Sequence, residues 1–94
     1  MNTGTATRKV PGGKLLRIDV LYEDDIKSVK LTGDFFLHPE ETLDLITQAM
    51  CGLSLPLDAA AAQQKVDAAM QTQEAQLIGA TTEDIILTLQ EALT

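Results

Sequence analysis

Ninety-four residues and 10.1 kDa allow one domain with a modest core, because a chain of this size buries roughly 60–65% of the surface that its unfolded form exposes. Apolar residues make up 45% and charged residues 22%, an ordinary balance for a soluble globular protein, and no apolar run approaches the ~18–20 residues that span a bilayer. The net charge of −7, with 3% aromatics and no tryptophan, argues against a nucleic-acid binder, since acidity repels phosphate and no stacking platform is available.

Residues 1 to 13, with Gly4, Pro11, Gly12 and Gly13 set among Thr and Asn, read as a flexible basic arm ahead of a single domain over residues 14–94. The polar stretch Met1 to Pro11 lacks the apolar region of a secretory signal. Lone Cys51 excludes an internal disulfide framework and fits a reducing compartment. The expected location is cytoplasmic. Charge is uneven along the chain: the first thirty positions carry six basic and four acidic residues, net +2, whereas residues 31–94 carry Lys65 against ten acids, net −9.

From Lys14 the pattern alternates. Leu16, Ile18, Val20 and Tyr22 fall on one side of a strand, and Leu15, Arg17, Asp19 and Leu21 on the other. Glu23–Asp24–Asp25 supplies a turn, and a second strand from Ile26 sets Val29 and Leu31 on one face, giving an antiparallel hairpin with one half-buried side. Gly33–Asp34 reads as a bulge or bend into a third short extended stretch, Phe35–Phe36–Leu37. His38–Pro39–Glu40–Glu41 predicts a helix start with Pro39 at the first helical position and two carboxylates at the positive end of the dipole. Leu43, Ile46 and Met50, with Leu45 and Ala49, form its apolar stripe, and Gly52 suits a left-handed stop.

Pro56 precludes a continuous helix, and Asp58 is an N-cap for a second helix through Ala59–Ala62 to about Met70, burying Val66, Ala69 and Met70. Leu77–Ile78–Gly79 breaks the pattern. Thr81 and Asp84 form a weak capping box for a last helix whose apolar positions are Ile85, Ile86, Leu89, Ala92 and Leu93. The expected fold class is α+β: a small two- to three-stranded antiparallel sheet with about three helices on one face.

Residues with chemistry are few. The sequence has no HExxH, CxxC, GxxxxGK[ST] or GxSxG pattern. His38 is the only histidine and precedes a helix, where a capping or surface role is the ordinary one. Cys51 follows Met50 at a helix carboxy terminus, where an inert thiol rather than a nucleophile is the ordinary role. Gly12–Gly13–Lys14 precedes a strand and so lacks the helix dipole of a phosphate loop. Asp24–Asp25 reads as a solvated turn. Two adjacent phenylalanines on extended chain point to opposite faces, so one of Phe35 and Phe36 fills the core and the other is covered by the helices or by a partner. The residues by themselves describe a small α+β interaction module.

The series Gly13–Lys14 into Leu16–Arg17–Ile18, then Leu31–Thr32–Gly33–Asp34–Phe35–Phe36, then a Pro39–Glu40–Glu41 helix ending at Gly52, and later Gly79, Glu83–Asp84–Ile85 and a closing Leu89–Leu93 helix, resembles the accessory domain of lipoate–protein ligases. That domain is carboxy-terminal in many bacterial enzymes and a separate small subunit in some archaea; the resemblance spans roughly residues 13 to 94, and the start methionine with its short preface favours a free-standing subunit.

The resemblance implies a non-catalytic subunit that holds no cofactor or metal itself. ATP, Mg and lipoate would belong to a large catalytic subunit, its heterodimer partner, which forms lipoyl-adenylate and passes the lipoyl group to a lysine of carrier proteins. Contact with lipoyl-carrier proteins would be indirect, and neither nucleic acid nor membrane is an expected partner. Carried onto this chain, the motif places the partner interface at Lys14, Arg17, Gly33, Asp34, Phe35 and Phe36. Two other readings compete: a small sulfur-carrier or iron–sulfur assembly protein using Cys51, and an unrelated α+β adaptor.

Overall fold

The computed structural model describes residues 1–12 and 14–94, so Gly13, with its part in the expected arm and in the Gly13–Lys14 motif, lies outside the described residues. The elements run β1 (Asn2–Lys9), β2 (Leu15–Tyr22), β3 (Ile26–Gly33), β4 (Phe36–His38), α1 (Thr42–Met50), α2 (Ala59–Thr72), β5 (Gln76–Ile78) and α3 (Thr82–Ala92). The α+β class is as expected, with two small sheets: antiparallel β1-β2-β3, and a separate β4-β5 ribbon.

Alternation in β2 places Leu16, Ile18 and Val20 inward, none more than 3% exposed. β3 faces them in register, Ile18 opposite Leu31 and Val20 opposite Val29. Gly33–Asp34 makes the expected bend into the short extended stretch of β4, and a bulge lies at the other end of β3. Leu21 pairs with Ser28 but Tyr22 with Ile26, which leaves Lys27 as the extra residue. That single insertion resets the side-chain parity, so Ile26 and Leu31, five positions apart, both reach the core.

Residues 2–9 correct the expectation of a flexible arm. They form β1, paired antiparallel along all of β2 from Asn2 opposite Tyr22 to Lys9 opposite Leu15. Thr3, Thr5 and Thr7 point outward while Gly4, Ala6 and Arg8 turn toward the helices, and Arg8 Nη1 meets Glu91 Oε1 of α3 at 2.7 Å. Val10 is buried, its N–H donating to the Lys14 carbonyl at 2.9 Å. The segment is therefore part of the domain that was expected to begin at residue 14.

The helices cover one face of the sheet: α1 packs on β3, α3 packs on β1 and β2, and α2 packs on α1 and α3. Ile46, Met50, Val66, Ile85 and Leu89 are fully buried against Leu16, Ile18 and Ile26. Each such side chain stabilises the fold by about 1.5–3 kcal/mol. Ala62 at the buried face of α2 lets the helices approach closely.

The helix ends mostly follow the sequence. Asp58 caps α2 by accepting from the Ala61 N–H at 3.2 Å. Thr81 and Asp84 form a reciprocal capping box at α3, at 3.1 and 3.0 Å. Asp67 of α2 accepts from the Thr82 hydroxyl at 2.7 Å, joining α2 to the first turn of α3.

α1 starts later than expected. Pro39 and Glu40 accept from the Thr42 and Leu43 N–H groups at 3.1 and 3.0 Å, so Pro39–Glu41 make a tight turn and α1 opens at Thr42. Beyond its last residue, Met50, Gly52 adopts the expected left-handed backbone with φ +83° and donates to the Ile26 carbonyl at 2.7 Å.

Thr42 is fully buried at the start of α1, and its hydroxyl has no hydrogen-bond partner among the described residues. An unmatched buried hydroxyl destabilises the fold, and valine has the same shape without it. Thr42→Val is expected to stabilise the domain by about 1 kcal/mol, read as a raised urea midpoint with an unchanged slope.

Candidate functional site

The three-stranded sheet leaves its second face uncovered by any helix, and the β4–β5 ribbon stands beside it at the β1–β2 turn end. The two surfaces meet where β3 ends. The Asp34 N–H donates to the Leu15 carbonyl at 2.9 Å, continuing the β2–β3 ladder by one residue past Gly33. A side chain on Gly33 would overlap that same carbonyl, so the close approach of β3 to β2 here requires glycine.

The expected interface residues divide into different roles at this junction. Phe35 is half-buried and packs against the core, and its ring edge lies against Gly33, so Phe35 and Gly33 are architecture. Phe36 projects the opposite way and is 72% exposed. Asp34 and Lys14 are exposed, and with Gly12 and Phe36 they line one open depression. Phe36 also walls a second depression, shared with Leu31, Thr32, Leu43 and Asp44.

Arg17 extends from the uncovered sheet face and is already engaged. Its Nε and Nη2 donate to Asp19 at 3.2 Å each, while the Thr5 hydroxyl donates to Asp19 at 2.8 Å. These hydrogen bonds, that from Arg17 foremost, hold the Asp19 carboxyl below the usual aspartate range, and Asp19 in turn raises Arg17.

Three residues were not singled out from the sequence: Ile78, Leu15 and Lys9. Ile78 lies directly opposite Phe36 across the ribbon and is 59% exposed. Leu15, 42% exposed, lies opposite Lys9 on the uncovered sheet face. The signal for Ile78 was available, since Leu77–Ile78 is a second adjacent apolar pair on extended chain and must split between faces as Phe35–Phe36 does. Leu15 likewise stands out as an apolar residue on the polar side of an alternating strand.

Elsewhere the chemistry-bearing residues stay apart. No group of three or more His, Cys, Asp and Glu side chains among the described residues is placed to hold a metal ion. Cys51 is half-buried at the C-cap of α1, its N–H donating to the Thr47 and Gln48 carbonyls at 3.2 and 3.1 Å. His38 ends β4 opposite Gln76. In the hairpin turn Asp25 pairs with Lys27 at 2.8 Å. No helix among the described residues is long and apolar enough to cross a membrane.

The molecule is thus a small α+β domain whose distinctive surface is an exposed ribbon beside an open sheet face. No family model matches the chain, and no curated protein matches it. Its fold is that of a chain in the solved structure of an archaeal lipoylation system, a bi-partite lipoate protein ligase and its E2 lipoyl domain from Thermoplasma acidophilum. The superposition has a TM-score of 0.68 and covers 95% of this chain and 93% of that chain, at 23% sequence identity, so the likeness is one of fold.

Proposed function

We propose that this chain is the non-catalytic accessory component of a two-component lipoate–protein ligase. It would be required by a large catalytic subunit for ATP-dependent activation of lipoate to lipoyl-adenylate, before transfer to a lysine of carrier proteins. The observation that carries this reading is the fold likeness, which covers 95% of this chain and 93% of the other. The motif series from Lys14 to Phe36 and the exposed position of Phe36 support it independently of overall shape.

In this reading ATP, Mg and lipoate sit in the large subunit, and this chain acts by binding one arrangement of that subunit's active-site loops better than the others, which raises its population. A hundredfold gain in adenylation needs about 2.7 kcal/mol of such differential binding. That is within reach of a modest interface with one well-placed aromatic. The two chains would form a cytoplasmic heterodimer.

The test is lipoate adenylation in the presence of ATP and Mg²⁺, using the catalytic subunit with and without this chain. Activity that appears only in the mixture is the expected result. A catalytic subunit equally active in both tubes overturns the reading.

A further inference from the structure

β1 is held to the domain differently from its two neighbours in the sheet. None of its residues is buried, whereas β2 gives Leu16, Ile18 and Val20 to the core and β3 gives Ile26 and Leu31. Of its inward side chains, Gly4, Ala6 and Arg8, only Ala6 offers an apolar group, and that group is half-buried. Its outer edge pairs with no strand among the described residues. What fixes β1 lies toward one end: the Arg8–Glu91 ion pair, part-exposed, and buried Val10 just past Lys9. Backbone hydrogen bonds to β2 therefore carry most of the attachment. A segment with few buried apolar contacts opens at lower free energy than a core strand.

The backbone directions separate the bonds that such opening breaks from those it spares. The Leu15 carbonyl accepts from Asp34, on the β3 side. Residues along an antiparallel strand alternate in the neighbour that they bond. Arg17 and Asp19 thus bond Thr32 and Lys30 of β3, while Leu16, Ile18 and Val20 bond Arg8, Ala6 and Gly4 of β1.

We infer that β1 is a hinged strap: residues 2–8 lift from β2 as one unit, pinned at Val10 and latched by Arg8–Glu91, while β2, β3 and the three helices keep their fold. Lifting frees the backbone groups of Leu16, Ile18 and Val20 along the β2 edge, a row that can pair with another extended segment. It also uncovers the end of α3 at Ala92, whose carbonyl lies against Gly4. The core stays closed, because α3 packs on β2 as well as on β1. Opening is a property of this chain alone and needs no partner.

Amide hydrogen exchange of the full chain, read residue by residue under conditions where rates report opening equilibria, is the test. Gly4, Ala6, Arg8, Ile18 and Val20 form the group between β1 and β2; Arg17, Asp19, Lys30 and Thr32 form the group between β2 and β3. The first group should share one level of protection, at least about tenfold below that of the second. Glu91→Gln, which releases the latch, should lower the first group a further two- to fivefold or so and leave the second unchanged. Equal protection of the two groups means that β1 opens only with the whole domain, and overturns the strap. Arg8 protected as strongly as the second group reduces the motion to fraying from Asn2, and overturns it too. A Glu91→Gln variant that changes neither group, or both alike, removes the latch and with it the strap.

Discussion

Replacing Gly4 with alanine destabilises the domain by about 2–3 kcal/mol, the range expected for overpacking a close contact. Gly4 lies on the inward side of β1, where a Cβ would overlap the Ala92 carbonyl oxygen at the end of α3 and stand 3.4 Å from Val20 Cγ1. A backbone carbonyl cannot rotate away as a side chain can, so the methyl group must push α3 off the sheet or β1 away from β2. Alanine in place of glycine also restricts the unfolded chain, which offsets at most about 1 kcal/mol. Thr3→Ala, one residue earlier and exposed, is the control and should cost less than about 1 kcal/mol. Urea unfolding measures both. If Gly4→Ala unfolds at the wild-type midpoint, residues 2–9 behave as the arm that their composition describes.

That contrast between composition and structure has a physical origin. The β2–β3 hairpin is legible because Leu16, Ile18 and Val20 alternate with polar residues against a buried face, and α2 and α3 are legible because Asp58, Thr81 and Asp84 are caps with a known hydrogen-bonding logic. β1 has no such mark. Its inward positions are Gly4 and Ala6, small because α3 packs close there, and Arg8, a charged residue that pairs with Glu91 of α3; its outward threonines favour strands without announcing one.

The Lys27 bulge is invisible for a related reason. A one-residue insertion between two correct half-patterns changes neither half. Strand β5 has three residues, too few for a period, and is fixed only by its pairing with β4, about forty positions away in the chain. Of the expected interface, Asp34, Lys14 and Phe36 are exposed together, whereas Gly33 and Phe35 earn their motif positions by packing. A motif reports that a residue is needed at a place, and does not distinguish a contact with a partner from a contact within the fold.

The two phenylalanines make that distinction measurable. Phe35→Ala should destabilise the domain by about 2–3 kcal/mol, somewhat below the 3–5 kcal/mol of a fully buried ring, because Phe35 is only half-buried against the core. Phe36→Ala removes a ring that is 72% exposed and whose ribbon partner is the likewise exposed Ile78. Cross-strand pairs of this kind contribute about 0.2–1 kcal/mol, which sets the expected loss of stability. Thermal and urea unfolding of the isolated domain therefore order the variants one way, Phe35→Ala well below Phe36→Ala. Association with a partner orders them the other way if the exposed ring is the contact, since Phe36→Ala then loses binding while keeping its fold. Equal stability losses for the two variants would mean that the Phe36 ring is packed as deeply as Phe35, and the ribbon would then be part of the core rather than a surface held out from it.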